Sequence, residues 1–184
     1  LEHLVAATVA EFGRIDIVVN NAGGWPPQPL LRTSERAFED AFRFNVTSAF
    51  LMTRFAVPQM VETAGGGVII NISSRAALSG SGSSIAYAAS KGALNTLTQS
   101  MARVLAPEVR VNAVCPVLVE GGFVERLAPQ SFAERRAHQI AVAPLKRIGH
   151  PDEVAETIHW LVASAAMMTG AIVELDFGMH LNSV

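Results

Sequence analysis

The chain holds a single tyrosine, Tyr87, and two lysines, one of which, Lys91, follows it by four residues. On a helix that spacing stacks both side chains on one face, within reach of each other. A free phenol with a pKa of about 10 is a poor acid–base group near neutrality, but a neighbouring ammonium favours phenolate and brings the value toward the working range. The same spacing also describes an ordinary surface pair. Ser74 precedes Tyr87 by thirteen residues and closes an apolar run, where its hydroxyl could hydrogen-bond a substrate carbonyl beside the phenol. Serines also simply terminate strands. Asn45 interrupts an apolar stripe between Phe42 and Ala49. A buried amide needs partners and asparagine disfavours helix interiors, so Asn45 points to a local break in the helix or to an ordered water. Satisfaction by neighbouring backbone is the alternative.

These residues need elements to position them. Leu1, Leu4, Val5, Thr8, Val9 and Phe12 recur at helical spacing, as in the end of a helix already under way. Ile15 to Val19, Val68 to Ile72, Val109 to Val114 and Ile172 to Leu175 are short apolar runs rich in β-branched residues, the pattern of buried strands. Helices are predicted over about Glu35–Glu62, bent by Pro58, over Ser84–Leu105 and over Pro151–Ala163. The stretch from Pro116 to about Pro144 reads as an irregular connection, long enough to be a lid or binding segment. Strands alternating with helices imply an α/β fold whose parallel sheet is covered on both faces, with ligands bound beyond the strands' carboxyl ends. The segments at Asn20, Ser73, Pro116 and Asp176 occupy those ends.

Half of the 184 residues are apolar, enough for a single globular domain over 1–184. With 14 Lys and Arg against 16 Asp and Glu, the net charge of −2 offers nothing to a nucleic acid or an anionic membrane. One cysteine, Cys115, cannot make an internal disulfide, and no apolar run approaches the roughly 18 residues of a spanning helix. A reduced, soluble, cytoplasmic protein is expected. His138, His150 and His159 lack metal-ligand spacing, so no metal site is predicted, and no Gly-x-Ser-x-Gly elbow marks a serine hydrolase.

Asn20-Asn21-Ala22-Gly23, Asn45, Ser74 and Tyr87-Ala88-Ala89-Ser90-Lys91 together resemble the short-chain dehydrogenase/reductase family. Further matches are Arg110-Val111-Asn112-Ala113-Val114 with Pro116, Arg147-Ile148-Gly149 with Pro151 and Glu153-Val154-Ala155, and Thr169-Gly170 before Asp176. The likeness implies a Rossmann-type doubly wound sheet and NAD- or NADP-dependent interconversion of a small-molecule alcohol and its carbonyl. It implies Tyr87 as acid–base group, Lys91 on the cofactor ribose and lowering the tyrosine pKa, and Ser74 orienting the substrate oxygen. Asn45 would hold a water that links Lys91 to solvent. Asn21, Ala22, Gly23, Pro116 and Val119 would join Tyr87 and Lys91 against the cofactor, while Asn20 ties neighbouring strands together. Phe123, Val124 and Leu127 would close over the substrate, with Trp25 at the pocket's edge. The family also implies a homodimer or homotetramer built on the helices from Glu35 and Ser84.

Two departures stand out. The family opens with a strand and a glycine-rich turn that receive the cofactor pyrophosphate, and this chain has neither, so it reads as the carboxyl-terminal part of such a domain. After Pro116, Val117 and Gly121 replace the usual Gly and Thr, and a branched residue disfavours any positive φ there. Asp176-Phe177-Gly178 in place of Asp-Gly-Gly reads as the milder change. A non-catalytic remnant or regulatory subunit that oligomerises without cofactor is the alternative function.

Overall fold

A run of apolar residues with no polar alternation suits a strand covered on both faces. In the computed structural model, which describes residues 1–182 apart from the side chains of Phe123 and Leu127, four such runs form β1 (Ile17–Asn20), β2 (Gly67–Ile72), β3 (Val109–Pro116) and β4 (Ile172–Leu175). They pair in the order β1-β2-β3-β4, all parallel, with Ile17 opposite Val68, Gly67 opposite Val109 and Ala113 opposite Ile172. Around them lie α1 (Glu2–Phe12), α2 (Glu35–Phe42), α3 (Ser48–Ala64), α4 (Ala76–Ser79), α5 (Ile85–Leu105), α6 (Phe123–Leu127), α7 (Pro129–Val142) and α8 (Pro151–Ala163).

Helices cover both sides of the sheet. Val5 of α1, Ala56 and Met60 of α3 and Met101 and Ala102 of α5 pack with Val18, Ile69, Val109 and Val111 on one face. Leu161 of α8 and Ala165 pack with Val68, Ile70 and Val114 on the other. Consecutive residues of β2 thus feed opposite cores, as the two-residue side-chain period of a strand requires. The result is the Rossmann-type doubly wound sheet. β1 departs from the rule: Val18 is buried while Ile17 and Val19 stay 48% and 42% exposed, so only one of its faces is covered.

The helix predicted over Glu35–Glu62 is divided. α2 ends at Phe42, Arg43–Thr47 form a π-helical turn, and α3 continues to Ala64. Asn45 lies at the centre of that wide turn, the local break its position inside an apolar stripe signalled. The irregular connection expected after Pro116 is also corrected, because it contains α6 and α7. Only Phe132 and Gln139 of α7 are buried among its described side chains, so the helix shows almost no apolar stripe to detect.

β3 is riveted to the loop that follows α8. Arg110 donates from Nη1 to the carbonyls of Ala165 and Met168 at 3.0 and 2.9 Å, and from Nη2 to those of Leu161 and Val162 at 3.0 and 3.2 Å. It thereby serves the unpaired carbonyls at a helix C-terminus, where a cation is favoured. Asn112 adds bonds to the Met168 carbonyl and from the Ala171 amide, at 2.9 and 3.0 Å. At the start of α8, Glu153 accepts the His150 amide at 2.8 Å and both Nη groups of Arg147, a capping box tied to an ion pair.

The backbone strain expected at Val117 lies elsewhere. The described non-glycine residues with positive φ are Lys146, at 53°, and Phe177, at 55°. The family's usual glycine at the second of these is the residue such a conformation favours, so Phe177 is the costlier departure and not the milder one. The Arg147 guanidinium lies 4.5 Å from the Phe177 ring centroid, a cation–π contact that offsets part of the cost. Phe177→Ala keeps the left-handed backbone and loses the ring, whereas Phe177→Gly loses the ring and the strain. We expect Phe177→Gly to be the more stable of the two by about 1 kcal/mol in urea unfolding; equal midpoints would remove the strain argument.

Candidate active site

The carboxyl ends of the strands open into a cavity of about 690 Å³, lined among others by Asn21, Gly23, Ser74, Tyr87, Lys91, Pro116 and Val119. β2 delivers Ser74 just past its last residue, Ile72. There the Ser73 amide bonds the Val114 carbonyl at 2.8 Å and the Arg75 amide bonds that of Pro116 at 3.0 Å, which fixes the turn. α5 delivers Tyr87 and Lys91 from its first two turns. Ser84 caps this helix, its Oγ accepting the Tyr87 amide at 3.2 Å.

Lys91 is 3% exposed, and its Nζ donates to the Ile72 carbonyl at 2.7 Å. That nitrogen lies 5.9 Å from the centroid of the Tyr87 ring. Ser74 and Tyr87 both face the cavity, close enough for the Ser74 hydroxyl to act on the phenol, and Ser74 Oγ accepts the Ala76 amide at 3.2 Å. Asn45 closes the back of the group from the π-helical turn. Its Oδ1 accepts the Gly24 amide at 2.8 Å, and its Nδ2 donates to Ser90 Oγ at 3.0 Å and to the Gly24 carbonyl at 3.3 Å. The amide is thus satisfied by the chain itself. A Cβ placed on Gly23 would stand 2.7 Å from Lys91 Nζ and 3.0 Å from Asn45 Oδ1, so glycine is what this close approach allows.

The two titrating groups of the pair do not follow the expectation that the ammonium acidifies the phenol. Burial raises the Tyr87 pKa above 10.0; the Ser74 hydrogen bond works against the rise and the Cys115 thiol adds to it. Burial lowers Lys91 to about 8, only partly countered by Cys115. Loss of solvent disfavours the charged form of each group and is the leading cause of both shifts. In the chain by itself the lysine loses its proton before the tyrosine does. The Cys115 thiol is itself pushed up by burial and donates to Asn95 Oδ1 at 3.7 Å.

Most of the residues singled out in the sequence meet here. Trp25 and Val124 also line the cavity. The expectation for the side chains of Phe123 and Leu127 lies outside the described residues. Ala22 is exposed at the end of β1 and is not part of the cavity wall, unlike its neighbours Asn21 and Gly23. Asn20 does tie strands together, its Nδ2 donating to Asn71 Oδ1 at 2.8 Å, and Asn71 donates in turn to Thr98 Oγ1 at 2.8 Å. Gly121 adopts φ 65°, with its amide held by Glu125 Oε2 at 2.6 Å, so the loop takes a turn that a β-branched residue there would resist. Sequence reasoning missed Arg75, Glu134 and Arg135 in the cavity wall. For Arg75 the signal was available: it directly follows Ser74 at a strand end, where ligands bind.

Residues 1–180 match the family model described as Enoyl-(Acyl carrier protein) reductase. The chain belongs to the short-chain dehydrogenase/reductase family. An uncharacterized oxidoreductase of Mycobacterium tuberculosis is 40% identical over 177 residues, which are 96% of this chain and 66% of that protein. A putative short-chain dehydrogenase/reductase from Burkholderia xenovorans superposes with a TM-score of 0.87 at 39% identity, covering 98% of this chain and 71% of the other. The ligand-free aldohexose dehydrogenase of Thermoplasma acidophilum gives 0.89 at 28% identity, over 98% and 73%. The chain therefore spans about two thirds to three quarters of the length of these relatives.

Because Tyr87 is the sole tyrosine, its ionisation can be read directly from absorbance near 295 nm, a wavelength characteristic of phenolate. Without cofactor, the signal is expected to rise only above the ordinary value of about 10. Phenolate at pH 8 to 9 would overturn the order of deprotonation given above.

Proposed function

We propose that this chain carries the catalytic centre of an NAD- or NADP-dependent oxidoreductase that interconverts a small-molecule alcohol and its carbonyl. The observation that carries the reading is that Ser74, Tyr87 and the buried Lys91 line one cavity at the carboxyl ends of the strands. Two hydroxyls so placed can both meet one substrate oxygen beside a buried amine.

The residues present fit the nicotinamide–ribose half of such a cofactor. Asn21, Gly23 and Lys91 line one part of the cavity, where ribose hydroxyls would approach, and Pro116 and Val119 would supply an apolar wall for a flat ring. When bound, the cofactor supplies or accepts the hydride. In the oxidation direction Tyr87 takes the hydroxyl proton from the substrate as the carbon gives up its hydride; in reduction it returns that proton to the new alkoxide. Ser74 donates to the same oxygen and stabilises its developing charge. Lys91 would hold the ribose through its amine, at the same wall of the cavity as the Tyr87 ring. Asn45 would keep a water between Lys91 and solvent; its Oδ1 faces the same side of Gly23 as Lys91 Nζ, which supports the role. Ala22 would stay at the margin of the cofactor, given its exposure.

Among the described residues no helix is long and apolar enough to cross a membrane. The outer faces of α3 and α5 expose Phe50, Val61 and Val104, and we infer that copies of the chain associate there as a dimer or tetramer. Light scattering at micromolar concentration is expected to give a multiple of the chain mass; a monomer would refute the association.

Tyr87→Phe removes the transferable proton and leaves the cleft's shape. We expect turnover to fall by about 10² to 10⁴-fold while cofactor affinity, followed by nicotinamide fluorescence, changes little. Retained turnover would remove Tyr87 from the reaction.

A further inference from the structure

The cleft wall carries more positive charge than holding a cofactor ribose explains. Arg75, Lys91 and Arg135 line it, against Glu134 as the one carboxylate among the described lining residues. Arg135, on α7, donates from Nη2 to the Gly82 carbonyl at 3.4 Å. Arg75 is different in kind. It follows Ser74 directly, its side chain is 16% exposed, and its Nε is paired with Asp176 Oδ2 at 3.3 Å.

Asp176 is not part of the cavity wall; it lines a neighbouring pocket with Phe177 and Gly178. It is an anchor held from several sides, accepting the amides of Gly178 and His180 at 2.9 and 2.7 Å and facing the His180 ring at 3.1 Å. The carboxylate therefore grips Arg75 from behind, through Nε. The two terminal nitrogens of Arg75 have no protein acceptor among the described residues, and neither is a buried unpaired atom. A guanidinium in the cavity wall that is held through Nε and keeps both terminal nitrogens unpaired can meet an oxyanion with two parallel hydrogen bonds.

We propose that the substrate of this cleft carries an oxyanion, a carboxylate or a phosphate, which Arg75 binds while Ser74 and Tyr87 hold the reacting oxygen. The substrate class is then a small oxo acid or sugar phosphate and its hydroxy counterpart. The proposal rests on the oxidoreductase reading for the reacting end of the molecule, but its anion-binding end can be tested separately.

Two matched pairs serve as probes, acetoacetate against its neutral methyl ester and dihydroxyacetone phosphate against dihydroxyacetone, all at one ionic strength. Wild-type protein should favour the charged member of at least one pair in kcat/KM, and which pair responds tells carboxylate from phosphate. Arg75→Gln should reduce that ratio by about 10- to 100-fold, the range for a lost charge-assisted hydrogen bond. Preference for the neutral member in both pairs, or a ratio that Arg75→Gln leaves unchanged, overturns the proposal. If Arg75→Gln does not fold, the wild-type comparison within each pair decides alone.

Binding without turnover separates this from the oxidoreductase reading. The charged probes should raise the melting midpoint of wild-type and of Tyr87→Phe protein, and not that of Arg75→Gln. Absence of any turnover with such a shift present would count against the redox assignment and leave the anion site standing. Absence of the shift in wild-type protein would sink the anion site.

Discussion

A primary ammonium taken out of water is the constraint around which the site is arranged. Removing such an ion from solvent costs on the order of several kcal/mol, and only close, well-aimed partners make it tolerable. The Ile72 carbonyl is one such partner. It is free to accept because β2 ends there and the chain turns away at Ser73 and Ser74. The side chain reaches it because residue 23 has no Cβ to stand in its way, and the π-helical turn brings the Asn45 amide to the same glycine. Strand end and glycine are therefore two answers to one problem, that of seating Lys91 at the head of the cleft.

The same loss of solvent explains why the pair behaves differently from its sequence signature. Spacing on a helix brings Tyr87 and Lys91 to one face, and that much could be read directly. What spacing does not contain is depth. Both groups are shielded, so each resists its charged form in the chain alone. A bound ligand that brings charge or hydrogen bonds into the cavity acts on a site already biased toward neutrality.

The legible parts of the fold were those with strong periodicity. All four strands announced themselves as β-branched runs, and α5 as a helix over Ser84–Leu105. α7 escaped because it lies on the surface with little to bury, and a helix without an apolar face leaves no periodic trace. The left-handed backbone at Phe177 was misplaced to Val117 for a related reason: a substitution of glycine shows that a constraint has changed, but which position bears the unusual φ is decided by tertiary geometry. Arg75 follows the serine at a strand end, but the carboxylate that orients it arrives from the other end of the chain, a pairing that local spacing does not contain.

The widened turn over Arg43–Thr47 has a consequence beyond Asn45. Each residue of an α-helix advances the side-chain direction by roughly 100°, and a π turn absorbs one residue more than an α turn would. The residues from Ser48 onward therefore keep the phase of α2 although one more residue separates them from it. Shortening the segment by one residue would restore regular winding and leave Ala49, Thr53, Ala56 and Met60 on their buried side, so the extra residue serves the wide turn and not the helix that follows.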